Sequence, residues 1–157
     1  MKRASVKRQW CRLLAVVFGL ALLGGMPTGL SAQEGRSPTR ADLEKVADQS
    51  TVDITTIGRT SGKSHTKPIW FVYDQGHLYL QSGGEGKTDW YLNLKKTPQI
   101  TLKIDTLTFT GKVKFIADPK ETERIHELFR SKYLTARLAG AVGSSIGHGR
   151  AVEVELP

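Results

Sequence analysis

Cysteine is nearly absent from this chain of 157 residues, and the single one, Cys11, lies close to the start. From residue 33 onward there is none. That excludes a disulfide framework, thiolate metal sites, iron–sulfur clusters and a cysteine nucleophile there. Acid is missing from the first 32 residues, which hold five cations (Lys2, Arg3, Lys7, Arg8, Arg12). The formal charge of +8 is therefore mostly theirs, since residues 33–157 carry 18 cations against 15 acids. A charge placed this way gives no reason to expect nucleic-acid binding. Long apolar runs are missing too. Leu13–Gly25 has 13 residues, against the roughly 20 that span a bilayer. The four histidines (His65, His77, His126, His148) show no metal-ligand spacing, and no metal is expected.

What the first 32 residues do have is an order: a basic start, the apolar run, then Pro27, Gly29 and small residues up to Ser31-Ala32. That is the layout of a secretory signal peptide. The expectation is a leader over 1–32, cleaved near Ala32, and an exported protein, periplasmic or secreted, that meets the membrane only through this leader. Lys7-Arg8 resembles a degraded twin-arginine signal, although an ordinary basic region accounts for it. Residues 33–50 read as a linker and a short helix, opened by Ser37-Pro38 and carrying Leu43 and Val46. Residues 51–157 read as one domain, long enough for one core.

Within that domain the apolar spacing is mostly of period two. Val52–Ile57 reads as a strand and Gly58–Lys67 as a loop. Pro68–Tyr73 and His77–Gln81 read as a hairpin turned at Asp74-Gln75-Gly76. Gly83–Lys87 is a second glycine-rich loop, and Thr88 starts a short helix with Trp90, Tyr91 and Leu94, ended by Pro98. Ile100, Leu102 and Ile104 alternate with polar residues, as do Leu107, Phe109, Val113 and Phe115. Asp118-Pro119-Lys120-Glu121 opens a helix that buries Ile125, Leu128, Phe129 and Tyr133. Leu134–Gly149 has no assignable pattern, and Val152, Val154 and Leu156 form a last strand. The fold expected is mainly β with inserted helices (α+β): six strands, mostly antiparallel, closing into a small barrel that hides its edges.

Three tempting motifs fail. Gly143-Ser144-Ser145-Ile146-Gly147 spells G-x-S-x-G, but too little chain follows for a later acid and histidine. Gly86-Lys87-Thr88 and Gly62-Lys63-Ser64 end like phosphate loops, but Gln81 and Ile57 stand where the earlier glycine is needed.

One feature survives. Arg59–Lys67 carries three fixed cations, hydroxyl side chains, a histidine and no acid, which suits an anion. The second loop adds glycines and Lys87 before a helix N-terminus. Trp70, Phe71, Tyr73, Tyr79, Trp90 and Tyr91 lie between or beside them, and flat faces next to an anion site suit a ring-bearing phosphorylated cofactor. On composition alone a solvated hairpin connection explains the first loop equally well, and core packing accounts for Phe71 and Tyr79.

Asp53–Trp70 (DITTIGRTSGKSHTKPIW), followed by Trp90-Tyr91-Leu92-Asn93-Leu94, resembles the deazaflavin-dependent nitroreductase/quinone reductase family of the flavin-binding split β-barrel group. The resemblance implies a split barrel like that of pyridoxamine-phosphate oxidases, binding coenzyme F420, a deazaflavin with a phosphate and an acidic tail. It implies that Arg59, Thr60, Ser61, Gly62 and Lys67 hold phosphate or tail. Pro68, Ile69 and Trp70 would lie along the ring, and Gly83, Gly84 and Lys87 would form a second phosphate loop braced by Trp90 and Asn93. Tyr133 would line the acceptor pocket, although burial at a helix end for packing accounts for it as well. The chemistry implied is hydride transfer from reduced F420 to a quinone or nitro compound, with the reactivity supplied by the cofactor. Related barrels bind FMN, haem or its breakdown products, or fatty acids. The alternative is thus a non-catalytic binding protein on the same barrel. A homodimer paired through a sheet face is a further family expectation.

Overall fold

A computed structural model describes residues 37–134 and 148–156. The leader read at residues 1–32, the start of the linker and most of the glycine-rich stretch lie outside the described residues. The described chain runs α1 (Arg40–Val46), β1 (Val52–Ile57), β2 (Ser64–Ile69), β3 (Phe71–Asp74), β4 (His77–Ser82), α2 (Asp89–Lys96), β5 (Gln99–Ile104), β6 (Leu107–Phe115), α3 (Pro119–Lys132) and β7 (Arg150–Glu155). A single 3₁₀ turn, Gly84–Gly86, precedes α2.

The seven strands form one sheet in the order β2-β1-β5-β6-β7-β4-β3, and each paired neighbour is antiparallel. β2 and β3 stand at opposite ends of that order, yet only Trp70 separates them in the chain. A flat sheet cannot satisfy both facts. The sheet must curl until its ends meet at Trp70, which gives a half-open barrel of the pyridoxamine-phosphate-oxidase-like kind. Six strands were expected and seven are found among the described residues. The extra one is Ser64–Ile69, made of the last four residues of the expected loop and the first two of the expected strand Pro68–Tyr73. Ser64–Lys67 are polar and exposed and only Ile69 at its end is half-buried, so no apolar alternation marked it; what orders it is backbone pairing with β1, Ser64 opposite Ile57 through Ile69 opposite Val52. The expected strand Pro68–Tyr73 is correspondingly two strands broken at Trp70.

The strand alternation otherwise holds. β1 buries Val52, Ile54 and Thr56 and turns Asp53 and Ile57 outward. The interior collects Val52, Ile54, Phe71, Leu78, Leu80, Ile100, Leu102, Ile104, Phe109, Val113, Val152 and Val154, closed by Leu43 and Val46 of α1 and Trp90, Tyr91 and Leu94 of α2. A second cluster lies on the other face of β3, β4 and β7. There Ile125 and Phe129 of α3, with Tyr133 just past its end, cover Val72, Tyr79 and Ala151. Strand β4 is thus buried on both faces.

The caps refine the expected boundaries. α1 is capped by Thr39 and not Ser37: Thr39 accepts from the Asp42 N–H while the Asp42 carboxylate accepts from the Thr39 N–H, a reciprocal capping box. Asp118 caps α3 as expected, accepting from the Glu121 N–H at 2.8 Å with Pro119 just inside the helix.

Candidate functional site

The connection between β1 and β2 is a tight, internally bonded loop. The Gly58 N–H donates to the Lys63 carbonyl at 2.8 Å, and the Gly62 N–H donates to the Gly58 carbonyl at 2.9 Å. Gly62 turns the chain in the left-handed region at φ 67°, which glycine adopts without a side-chain clash. The closure leaves Arg59, Thr60 and Ser61 projecting from the tip.

Arg59 does not hang free. Helix α2 presents Asp89, Asn93 and Lys96 at spacings of four and three, which place them on one face, and all three grip Arg59. Asn93 Oδ1 accepts from the Arg59 backbone N–H at 3.0 Å and from its Nη1 at 3.2 Å. Asp89 accepts from Nη1 at 2.9 Å. Lys96 Nζ donates to the Arg59 carbonyl at 2.6 Å. The Asn93 amide, 4% exposed, also donates to Thr56 Oγ1 at 3.2 Å. One buried amide therefore ties the loop, the helix and the last inward side chain of β1 together. Helix α2 begins at Thr88, whose hydroxyl makes no cap bond. It pairs instead with Ser82 Oγ at 2.6 Å, fixing the end of β4 to the start of α2.

Between loop, helix and β2 lies a cavity of about 460 Å³. It is lined by Gly58, Arg59, Thr60 and Ser61 of the loop, Thr56 of β1, His65, Thr66 and Lys67 of β2, and Asp89, Trp90 and Asn93 of α2. Its size suits an organic ligand. Its wall combines two fixed cations, hydroxyls, a histidine and one indole with a single carboxylate, and that carboxylate is already paired with Arg59.

Of the residues expected at the site, the structure brings Arg59, Thr60, Ser61, Lys67, Trp90 and Asn93 into this one cavity. Gly62 shapes the loop without lining it. Pro68 and Ile69 continue β2 beyond the cavity, Pro68 exposed and Ile69 half-buried against the core. Trp70 marks the barrel corner, its ring stacked on Tyr133 at 5.2 Å. Among the described residues lining the cavity, Gly83, Gly84 and Lys87 are not found. Their turn is left-handed at Gly84, Glu85 and Gly86 (φ 55°, 56°, 83°) and lies just before Asp89, at the same end of the barrel. Tyr133 lies apart, in the α3 cluster. Its hydroxyl is 2.8 Å from the carbonyls of both Ser50 and Phe71 and accepts from the Phe71 N–H at 3.2 Å. Burial pushes its ionisation up to about 12, so it stays a neutral donor.

Thr56 and Asp89 line the cavity without having been singled out in the sequence, while Gly58, His65 and Thr66 entered only as parts of the loop. Asp89 had a signal, four residues before Asn93. Thr56 had only strand parity. Gly58 is needed for room: a Cβ there would lie 2.5 Å from Ser61 Oγ and 2.9 Å from His65 Nε2.

The family model described as F420H(2)-dependent quinone reductase matches residues 37–140, more than half of the chain. Solved structures share the fold at low identity. A conserved hypothetical protein of Mycobacterium tuberculosis is 20% identical, with 75% of this chain and 80% of that one covered and a TM-score of 0.57. An F420-H2 dependent reductase is 19% identical, with 68% and 95% covered and a TM-score of 0.52. A domain-swapped dimer is 20% identical, with 69% and 81% covered and a TM-score of 0.53.

The donor set fits the cofactor this family implies. A phosphate and acidic tail need cations and hydroxyls beside a backbone that can be approached closely; Arg59, Lys67, Thr60, Ser61 and the bare Cα of Gly58 meet that need. The chain belongs to the F420H2-dependent quinone reductase family.

Proposed function

We propose that this chain is an exported reductase that holds reduced F420 by its anionic tail in the Arg59 cavity and passes its hydride to a quinone or nitro-type acceptor. The observation that carries the reading is the threefold fixing of Arg59 by Asp89, Asn93 and Lys96 at the mouth of a cavity shared with Lys67. An arginine immobilised before the ligand arrives loses little rotamer freedom on binding, which favours affinity for phosphate or carboxylate. Reduced F420, when bound, supplies the hydride. The chain's own residues do the rest: Arg59 and Lys67 neutralise the tail, Thr60 and Ser61 offer hydroxyl donors, and Trp90 gives the cavity an indole wall. Pro68, Ile69 and Trp70 carry on along the strand and corner from Lys67, where the flat ring would rest. Gly83, Gly84 and Lys87 are the second group assigned to the phosphate, from the turn just ahead of Asp89. Tyr133 is the residue assigned to the acceptor side.

The test is direct. Purified protein without the leader is titrated with F420, FMN and haemin, and oxidation of reduced F420 is followed with a soluble naphthoquinone and a nitroaromatic. Tight binding of F420 with acceptor-dependent oxidation supports the reading. Uptake of FMN or haemin without turnover favours the non-catalytic barrel. N-terminal sequencing of protein recovered from cell fractions tests export and cleavage near Ala32. Sedimentation tests whether two copies pair, as in the domain-swapped dimer of similar fold.

A further inference from the structure

Resting on the F420 reading, we propose that Lys132 is a positioning residue for the cofactor ring: with Tyr133 it latches the seam of the barrel at Phe71 and so fixes the tilt of Trp70, the corner on which the ring rests.

The seam is a break in a ladder. β1 and β2 pair as far as Val52 opposite Ile69. Continued by two residues, the same register would set Ser50 against Phe71. The chain has turned at Trp70, however, and Phe71 pairs with Leu80 of β4. The hydroxyl of Tyr133 stands in the broken rung. It lies 2.8 Å from the carbonyls of both Ser50 and Phe71 and accepts from the Phe71 N–H at 3.2 Å. Phe71 is 0% exposed, so a backbone group left unpaired there is costly.

Tyr133 cannot close this seam alone. A phenol has a single proton to donate, and the Ser50 and Phe71 carbonyls compete for it. Lys132 supplies the rest. Its Nζ donates to the Phe71 carbonyl at 3.0 Å and, at 2.8 Å, to the carbonyl of Ala47, the C-cap of α1. With both side chains in place, every one of these carbonyls has its own proton. The ammonium also lies over the Phe71 ring, 3.9 Å from its centre, a cation–π contact that keeps it at the seam. Without Lys132 the Tyr133 proton must desert one of its two carbonyls, and the hydroxyl is no longer pinned between them.

The link to the ring is a stack of aromatic side chains. Trp70 lies on the Tyr133 ring with centroids 5.2 Å apart, and Tyr133 on Phe129 at 6.1 Å. Tyr133 is 5% exposed, whereas Trp70 is half-buried. What the hydroxyl fixes inside is thus carried to the surface by the indole. The Arg59 cavity gathers the other end of the β1–β2 hairpin, around Thr56, Gly58 and His65. Lys132 therefore acts on the ring and leaves the tail alone. Hydride transfer is sensitive to such placement, since a misplacement of about 1 Å costs on the order of a hundredfold in rate.

The experiment compares the wild type with Lys132→Met and Tyr133→Phe. Calorimetry gives the dissociation constant of F420, and a single turnover of bound reduced F420 with a soluble naphthoquinone gives the rate of hydride transfer. Without ligand, each protein is labelled with fluorinated tryptophan, and the Trp70 fluorine resonance is the one missing from Trp70→Phe. Lys132→Met is expected to slow the single turnover by about tenfold or more, to leave F420 affinity within about twofold, and to shift or split the Trp70 resonance. Tyr133→Phe keeps the ring and drops the hydroxyl, and is expected to disturb the same resonance. A wild-type rate and a wild-type Trp70 resonance in Lys132→Met overturn the proposal with F420 binding intact. So does an equal loss of rate and affinity, which marks a merely structural role. If Lys132→Met does not fold, an undisturbed Trp70 resonance in Tyr133→Phe overturns it instead. Absence of F420 binding in every protein overturns the cofactor reading and this role with it, so the two failures are distinguishable.

Discussion

Replacing Asn93 with alanine separates a built anion site from an incidental surface loop. The amide accepts twice from Arg59 and donates once to Thr56, and it is 4% exposed while Thr56 is 2% exposed. Truncation orphans the Thr56 hydroxyl and, less severely, the part-buried Arg59 N–H. A buried polar group without a partner costs about 1–3 kcal/mol. The sum here is about 2–3 kcal/mol because water can reach Arg59, and for a domain of this size that lowers the melting temperature by on the order of 10 °C. Arg59 also loses its anchor and must be ordered by the ligand, so F420 binds about tenfold more weakly or worse.

The control is Asp89→Asn. The Asp89 side chain is 85% exposed, and an exposed ion pair contributes about 0–1 kcal/mol, so stability moves by less than about half a kcal/mol. The asparagine oxygen can still accept from Arg59 Nη1, so the anchor is kept while the cavity's carboxylate charge is lost, and anion binding tightens about two- to threefold. The assays are urea denaturation and calorimetric titration with F420. If Asn93→Ala unfolds with the wild type, or binds F420 as tightly as the wild type does, α2 does not preorganise Arg59 through Asn93 and the reasoning fails.

Gly58→Ala puts a methyl group into the space of Ser61 Oγ and the His65 ring; calorimetry is expected to show F420 affinity down by at least tenfold, with a stability loss of about 1–2 kcal/mol. Tyr133→Phe removes the hydroxyl that bridges Ser50 to Phe71 and is expected to cost about 1–3 kcal/mol in urea denaturation. Lys132 donates to the carbonyls of Ala47 and Phe71 and lies over the Phe71 ring at 3.9 Å, yet burial lowers its ionisation to about 8. The folded protein then releases this proton before the unfolded chain does, so stability rises between about pH 8 and about pH 10.5. The rise is about 1–2 kcal/mol once solvent screening is allowed for, and Lys132→Met abolishes it. Tyr133 acts oppositely: held neutral in the folded state up to about 12, it makes stability fall from about pH 10 upward, an effect lost in Tyr133→Phe.

How much of this was legible in the sequence depends on which force orders each residue. Val52, Ile54, Ile100, Leu102 and Ile104 announced themselves because burial of alternate side chains builds their strands, and every one is buried. Asp118-Pro119 announced α3 because a cap is local chemistry. Ser64–Ile69 did not announce itself: its order comes from backbone bonds to β1, which leave no trace in hydropathy, and so an edge strand read as loop. The same blindness hid half of the site. The cations of Arg59–Lys67 were visible as composition, but composition cannot say that α2 turns Asp89, Asn93 and Lys96 onto Arg59. That depends on the curl which brings the end of β4 beside the β1–β2 loop, a consequence of seven strands and one corner at Trp70. His65 and Thr66 entered only as members of a loop, because the pairing that sets them opposite Thr56 and Thr55 of β1 is not written in the loop's composition. A positively charged hairpin becomes an anion site when a strand fixes which of its residues share a face and a helix fixes the arginine. Both are pairings over long sequence distance, and both are the parts a reading along the chain does not contain.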